Sequence, residues 1–162
     1  MKTIPVYEPY FGGKEKEYVD ECLESKWISS KGKYVKIFEQ KFSQYVGAKY
    51  GVSVTSGTVA IHLALLALGI GEGDEVIVPS LTYIATANPV HYVGAIPVFA
   101  DSVEKTWQID PKDIEKKITS KTRAIIVTHL YGHPCDMREI VRIADESKLF
   151  LIEDCAEAIG TK

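Results

Sequence analysis

The sequence is poor in cysteine and has no cysteine pairs. Cys22, Cys135 and Cys155 are odd in number, widely spaced and form no Cys-x-x-Cys unit, which argues against a disulfide framework and a zinc site and for reduced thiols. There is no basic run. The 19 Lys and Arg against 22 Asp and Glu give a formal net charge of −3. Lys14, Lys16, Lys31, Lys33 and Lys36 are interleaved with acidic and aromatic residues as on solvated faces, so a nucleic-acid partner is not expected. No apolar run is long enough to span a membrane: the most apolar stretch, residues 59–68, contains His62 and reads as a buried core helix. The start, Met1-Lys-Thr-Ile-Pro5, lacks the apolar segment of a secretory signal, so the expected location is cytoplasmic. A Gly-x-x-x-x-Gly-Lys-Ser/Thr loop is also missing, which removes the nucleotide hydrolases of that type. Gly69-Ile-Gly-Glu-Gly73 follows a predicted helix and precedes a predicted strand, the reverse of a dinucleotide-binding turn. Repeats, low-complexity tracts and an obvious linker are lacking too.

What is present suits one globular domain of 162 residues, with 46% hydrophobic residues to build a core. Residues 1–49 read as an extended arm and two helices. Pro5 and Pro9 keep the arm from being helical. Tyr18, Val19, Cys22 and Leu23 fall at helical spacing, as do Val35, Phe38, Phe42 and Tyr45, with Gly47 as a stop. From residue 50 onward strands alternate with helices. Strands are predicted around Val52 and Val54, at 75–79, 95–100, 123–128 and 149–152. Helices are predicted at 59–68, at 82–92 with Pro89 interrupting, after Asp110-Pro111, and after Asp136. This predicts an α/β fold: a mainly parallel sheet with helices on both faces. Ligands in such folds bind at strand C-terminal ends, which directs attention to residues 56–58, 80–83, 128–131 and 153–157.

Ser56-Gly57-Thr58 can seat a phosphate: small side chains let an anion reach backbone N–H groups at the positive end of a helix, and two hydroxyls add donors. The same residues also make an ordinary helix cap with a glycine turn. Asp154 ends a strand, where it can form a salt bridge to the protonated pyridine nitrogen of pyridoxal phosphate; its plainer role is an N-cap. Tyr83 can stack on that ring or simply pack. Glu157 lies about one helical turn beyond Asp154, near the site or on a solvated face. His129 is placed to bond the cofactor's phenolic oxygen or a substrate, and equally to be a satisfied structural histidine. His62, His91 and His133 read as structural or surface groups.

Four stretches carry a resemblance: Thr55-Ser-Gly-Thr-Val-Ala-Ile-His-Leu-Ala-Leu-Leu-Ala-Leu-Gly69, Gly73-Asp-Glu-Val-Ile-Val-Pro79, His129-Leu-Tyr-Gly-His-Pro-Cys-Asp136 and Ile152-Glu-Asp-Cys-Ala-Glu-Ala158. Together they resemble the DegT or StrS sugar-nucleotide aminotransferases, of the fold-type I pyridoxal phosphate enzymes, along essentially the whole chain. Ile4-Pro-Val-Tyr7, Trp27-Ile-Ser-Ser-Lys-Gly32, Thr106-Trp-Gln108 and Gly132-His-Pro-Cys-Asp-Met137 look most like members that aminate the 4-keto group of GDP-4-keto-6-deoxymannose with L-glutamate as donor. The resemblance implies phosphate binding by Ser56, Gly57 and Thr58, ring stacking by Tyr83, pyridine pairing by Asp154, and Glu157 near the phenolic oxygen. It also implies a homodimer with sites at the subunit interface, to which the arm and the Trp27 loop would contribute, and a role in surface polysaccharide such as O-antigen.

In that family the Schiff-base lysine lies on a strand and turn beyond the counterpart of Asp154. Lys49, Lys148 and Lys162 are poor replacements, the last being terminal. Residues 1–162 are therefore expected to be the N-terminal part of the large domain, cut after the fifth predicted strand. Alone they are expected to bind pyridoxal phosphate weakly, not to transaminate, and to expose apolar surface. The alternatives are a related pyridoxal phosphate-dependent sugar dehydratase, which resembles a version with histidine in the lysine's place, and a non-catalytic binding remnant.

Overall fold

The structure, a computed structural model, describes residues 4, 5 and 8–161, so the expectations for Val6, Tyr7 and Lys162 lie outside the described residues. The chain divides into two compact units, Met1–Ser53 and Val54–Lys162.

The first unit contains α1 (Glu15–Ser25) and α2 (Lys33–Val46). Glu15 and Glu17 occupy the first turn of α1, where acidic groups complement the exposed N–H groups. Gly47 ends α2 as expected, at φ 70°, with its N–H bonded to the carbonyls of Gln44 and Ser43. Tyr18 and Tyr34 join the helices, their ring centroids 4.9 Å apart. Glu21 accepts from Lys33 and the Tyr34 hydroxyl; these bonds lower the Glu21 carboxyl below its usual range, and the bond to Glu21 pushes Tyr34 up to about 12. The expected strand through Val52 and Val54 does not form. No strand among the described residues completes a ladder with it, and the Ser53 N–H and hydroxyl instead bond Glu39 on α2, each at 2.9 Å.

The second unit begins with α3 (Gly57–Ala67), β1 (Glu75–Pro79), a 3-10 turn (Ile84–Thr86) and α4 (Asn88–Tyr92). It continues through β2 (Ile96–Ala100), α5 (Pro111–Lys117), β3 (Thr122–Thr128), a 3-10 turn (Leu130–Gly132), α6 (Met137–Ser147) and β4 (Phe150–Asp154). The predicted helix over 82–92 is thus two short pieces, and Pro89 sits in the first turn of the second, where a missing N–H costs nothing, rather than interrupting it. The last strand runs on to Asp154 instead of stopping at Ile152. Four strands, in the order β2-β1-β3-β4 and all parallel, form one sheet.

Each crossover buries an apolar helix face, and alternation along the strands sorts residues between two cores. Val76, Val78, Ala124 and Ile126 pack with Ile61 and Leu65 of α3 and Val90 of α4. Ile77, Ile125 and Val127 pack with Ile114 of α5 and Ile140 and Ile143 of α6. Helices therefore cover both faces, as the apolar strands predicted. Caps set the helix starts: Asp110 accepts from the Lys112 N–H at 2.9 Å, and Asp136 from the Glu139 N–H at 3.4 Å.

Cys135 belongs to the second core. Its thiol donates to the Thr128 carbonyl at 3.3 Å, and burial, the main cause, pushes it up to about 11. The native protein should therefore leave Cys135 unmodified by a thiolate-directed reagent at pH 8, with labelling appearing only on unfolding; mass spectrometry of the peptide containing residue 135 checks this. Ile125 is fully buried at the centre of the sheet. Ile125→Ala should lower stability by about 3 kcal/mol, read from the denaturant midpoint with an unchanged slope.

Candidate functional site

The parallel register of β3 and β4 sets Thr128 opposite Asp154 and Val127 opposite Glu153. Val127 lies in the α5 and α6 core, so Glu153 and Cys155 share that face with His129, whereas Thr128 and Asp154 point to the α3 and α4 face. The sheet's C-terminal end thus presents two different chemistries.

On the α3 and α4 face, Asp154 is half-buried. Its Oδ1 accepts from the Ala156 N–H at 3.1 Å, and its Oδ2 faces the Thr86 hydroxyl at 3.5 Å. Thr82, Thr86 and Thr128 form a cluster beside it, with oxygen separations of 2.9 Å for Thr82 to Thr86 and 3.2 Å for the other two pairs. Tyr83 follows Thr82 directly and leads into the 3-10 turn, the residue being 74% exposed. A face is therefore open for stacking.

Helix α3 packs against β4 and against the 84–86 turn. Its N-cap is Ser56, whose hydroxyl accepts from the Val59 N–H at 3.4 Å. Among the described residues nothing accepts from the N–H groups of Gly57 or Thr58. Gly57 is helical, and a Cβ added there would meet nothing within 4 Å. Neither backbone conformation nor packing calls for glycine at this position. The exposed backbone there is open to an outside group. Donors at α3, an oriented carboxylate at β4 and an open aromatic face at Tyr83 make a donor set that suits an aromatic phosphate with a protonated ring nitrogen.

On the opposite face the ring of His129 is buried and both nitrogens are engaged within the protein. The Cys135 N–H points at Nδ1, 3.1 Å away, so Nδ1 carries the lone pair and Nε2 the proton, which faces Glu153 at 3.3 Å. His129 Nε2, Glu153 and Cys155 lie within 4.8 Å of one another, a grouping that could suggest a metal. A metal on Nε2 would move the proton to Nδ1, against the Cys135 N–H, so this bonding does not suit one. Burial, with the charges of Glu153 and Asp154 adding to it, raises the Cys155 thiol above its usual range.

Glu157 accepts from the Tyr131 N–H at 2.5 Å. Tyr131 and Gly132 both have left-handed backbones, at φ 55° and 79°, and Glu157 holds that turn. Gln108 clamps the same loop from below: its amide donates to the Leu130 carbonyl at 3.1 Å and accepts from the Leu130 N–H at 3.0 Å. Gln108 stands in a sequence motif that assigns it no role, and no motif marks Thr86. The signal for Thr86 was its spacing, one helical turn after Thr82.

A model of the DegT/DnrJ/EryC1/StrS aminotransferase family matches residues 9–162. A GDP-perosamine synthase of Escherichia coli O157:H7 is 62% identical over all 162 residues, which span 44% of that protein. An aminotransferase of Psychrobacter cryohalolentis, solved by X-ray crystallography, superposes with a TM-score of 0.87 at 41% identity, over 94% of this chain and 39% of that one. A GDP-4-keto-6-deoxymannose-3-dehydratase with a trapped PLP-glutamate geminal diamine superposes with a TM-score of 0.89 at 31% identity, over 99% of this chain and 43% of that one. The chain spans less than half the length of these relatives. With the family model matching from residue 9 onward and relatives similar along the whole chain, it belongs to the DegT/DnrJ/EryC1/StrS aminotransferase family.

Proposed function

We propose that residues 1–162 form the cofactor-binding part of a pyridoxal phosphate-dependent sugar aminotransferase. In this reading an amino group passes from L-glutamate to the 4-keto group of GDP-4-keto-6-deoxymannose, yielding 2-oxoglutarate and GDP-perosamine. The observation that carries it is the 62% identity with a GDP-perosamine synthase along the whole chain, joined to a site whose donors and carboxylate suit the cofactor. Bound pyridoxal phosphate would supply an electron sink and carry the amino group between the two substrates.

The chain's own residues have defined tasks in this reading. Ser56, Gly57 and Thr58 hold the phosphate with backbone N–H groups and hydroxyls at the positive end of α3. Tyr83 covers one ring face. Asp154 keeps the ring nitrogen protonated, since a carboxylate beside a base raises the base's proton affinity. Glu157 holds the turn at Tyr131 near the phenolic oxygen, and His129 acts as a structural support beneath that loop. We also propose a homodimer, following the family.

Among the described residues of the second unit no lysine is placed to carry the cofactor: Lys112, Lys116 and Lys117 lie on α5, on the other face of the sheet from Asp154. Lys121 and Lys148 precede β3 and β4, at the sheet's other end. Lys105 follows the edge strand β2, three strand positions from β4 and roughly 14 Å across the sheet at the usual strand spacing. The polypeptide of residues 1–162 alone should therefore not transaminate.

The test is an assay of the full native chain carrying these residues, with glutamate and GDP-4-keto-6-deoxymannose. The expected product retains the 3-hydroxyl and gains a 4-amino group. Loss of the 3-hydroxyl would point to the dehydratase reading, and absence of turnover with bound ligand to a non-catalytic role. In the same assay Asp154→Asn should lower kcat on the order of a hundredfold, as expected for removing an oriented charge in an active site.

Gly57→Ala separates ligand binding from folding. With no clash inside the chain and a helical backbone, the variant should gain stability by about 0.5 kcal/mol in the cofactor-free protein. Its affinity for pyridoxal phosphate, measured by titration, should fall severalfold. Equal affinities would remove the phosphate from α3.

A further inference from the structure

The Thr86 hydroxyl is fully buried at the inner end of the 84–86 turn. A buried hydroxyl costs free energy unless it is bonded, and valine would fill the same volume without that cost. What Thr86 offers beyond valine is a donor aimed at Asp154 Oδ2, 3.5 Å away. An ionised carboxylate only accepts, so the proton between them belongs to Thr86. With its proton committed, Thr86 can only accept within the cluster: it accepts from Thr128 at 3.2 Å, and its oxygen also lies 2.9 Å from that of Thr82, whose single proton goes to Thr128. Thr82 in turn donates to Thr128 at 3.2 Å. The hydroxyls therefore point in sequence from Thr82 to Thr128 to Thr86 to Asp154, and each bond polarises the next.

Three separate segments supply this chain: the loop after β1, the 3-10 turn and the end of β3. None of these hydroxyls caps a helix of the fold. We propose that Thr86, backed by Thr128 and Thr82, is a positioning residue that fixes the direction of Asp154 toward the cofactor's ring nitrogen. This rests on the pairing proposed above. The Ala156 N–H holds one carboxylate oxygen and Thr86 the other, so the plane of the carboxylate is set before any ligand arrives. A contact as long as 3.5 Å orients the group while leaving most of its negative charge for the ring.

The experiment compares two ligands in the full native chain stripped of cofactor: pyridoxal phosphate and its deaza analogue, which has carbon in place of the ring nitrogen. The ratio of their dissociation constants reads the ring-nitrogen contact alone. The unsubstituted protein should prefer pyridoxal phosphate. Thr86→Val should reduce that preference about threefold, less than one full hydrogen bond to a charged group because the contact is long, with affinity for the deaza analogue unchanged. Thr86→Ser should restore it. A Thr86→Val protein that keeps the original ratio, including one in which both affinities fall together, overturns the proposal. If that variant does not fold, Thr128→Val carries the test one hydroxyl further back: a smaller loss of preference is expected, and an unchanged ratio overturns the proposal. No preference in the unsubstituted protein would remove the Asp154 pairing itself, and with it this inference, an outcome distinct from a preference that Thr86 does not control.

Discussion

The parallel pairing of β3 with β4 is the constraint on which the site depends. Thr128 opposite Asp154 puts the carboxylate on the α3 and α4 face beside a buried hydroxyl cluster. Side chains alternate with period two, so a slip of one residue would turn Asp154 toward the α5 and α6 core and bring Glu153 to the α3 and α4 face. The apolar residues prevent this. On β4 itself Leu151 packs on the α5 and α6 core and Ile152 on the α3 and α4 core, beside the fully buried Ile125, Ile126 and Val127 of β3. At about 2 kcal/mol or more for each large side chain moved out of its packed environment, hydrophobic register outweighs any single polar contact at the strand end.

Much of this was legible before the structure. Long apolar strands between helical stretches gave the α/β class because parallel strands are buried on both faces. Asp110 and Asp136 marked helix starts because few other residues satisfy exposed N–H groups so well. The stretch through Val52 and Val54 was misread for a physical reason: β-branched residues state a preference, but a strand exists only through a partner, and a partner is not a local property. The split of residues 82–92 was obscured similarly. Thr86 and Thr82 are drawn to a strand end 42 residues away or more, and that tertiary pull favours a tight 3-10 turn over a continuous helix.

At the site, positions were easier to read than partners. Strand C-terminal ends are rule-governed, which is why residues 83, 154 and 157 stood out as candidates, whereas residues 56–58 were placed after an expected strand that does not form and instead begin α3. For His129 the pattern left a site role and internal satisfaction equally open, since the partner that satisfies it, the backbone N–H of Cys135, carries no side-chain signature. Gln108 was opaque for the same reason, since it binds the Leu130 backbone rather than any side chain.

The two faces also solve a mechanical problem. A left-handed backbone at Tyr131 costs roughly 1–2 kcal/mol, and left to itself the loop would relax away from the strand end. One charge-assisted bond from its N–H to Glu157 offsets about that amount. The two bonds from Gln108 hold the preceding residue, and the Cys135 N–H on His129 closes the loop's far side. Each restraint comes from a different element, so losing one leaves the others to hold the geometry. Asp154 can then stay a half-buried carboxylate at a fixed angle, because the Ala156 N–H on one oxygen and the Thr86 hydroxyl facing the other, rather than a partner cation, set where it points.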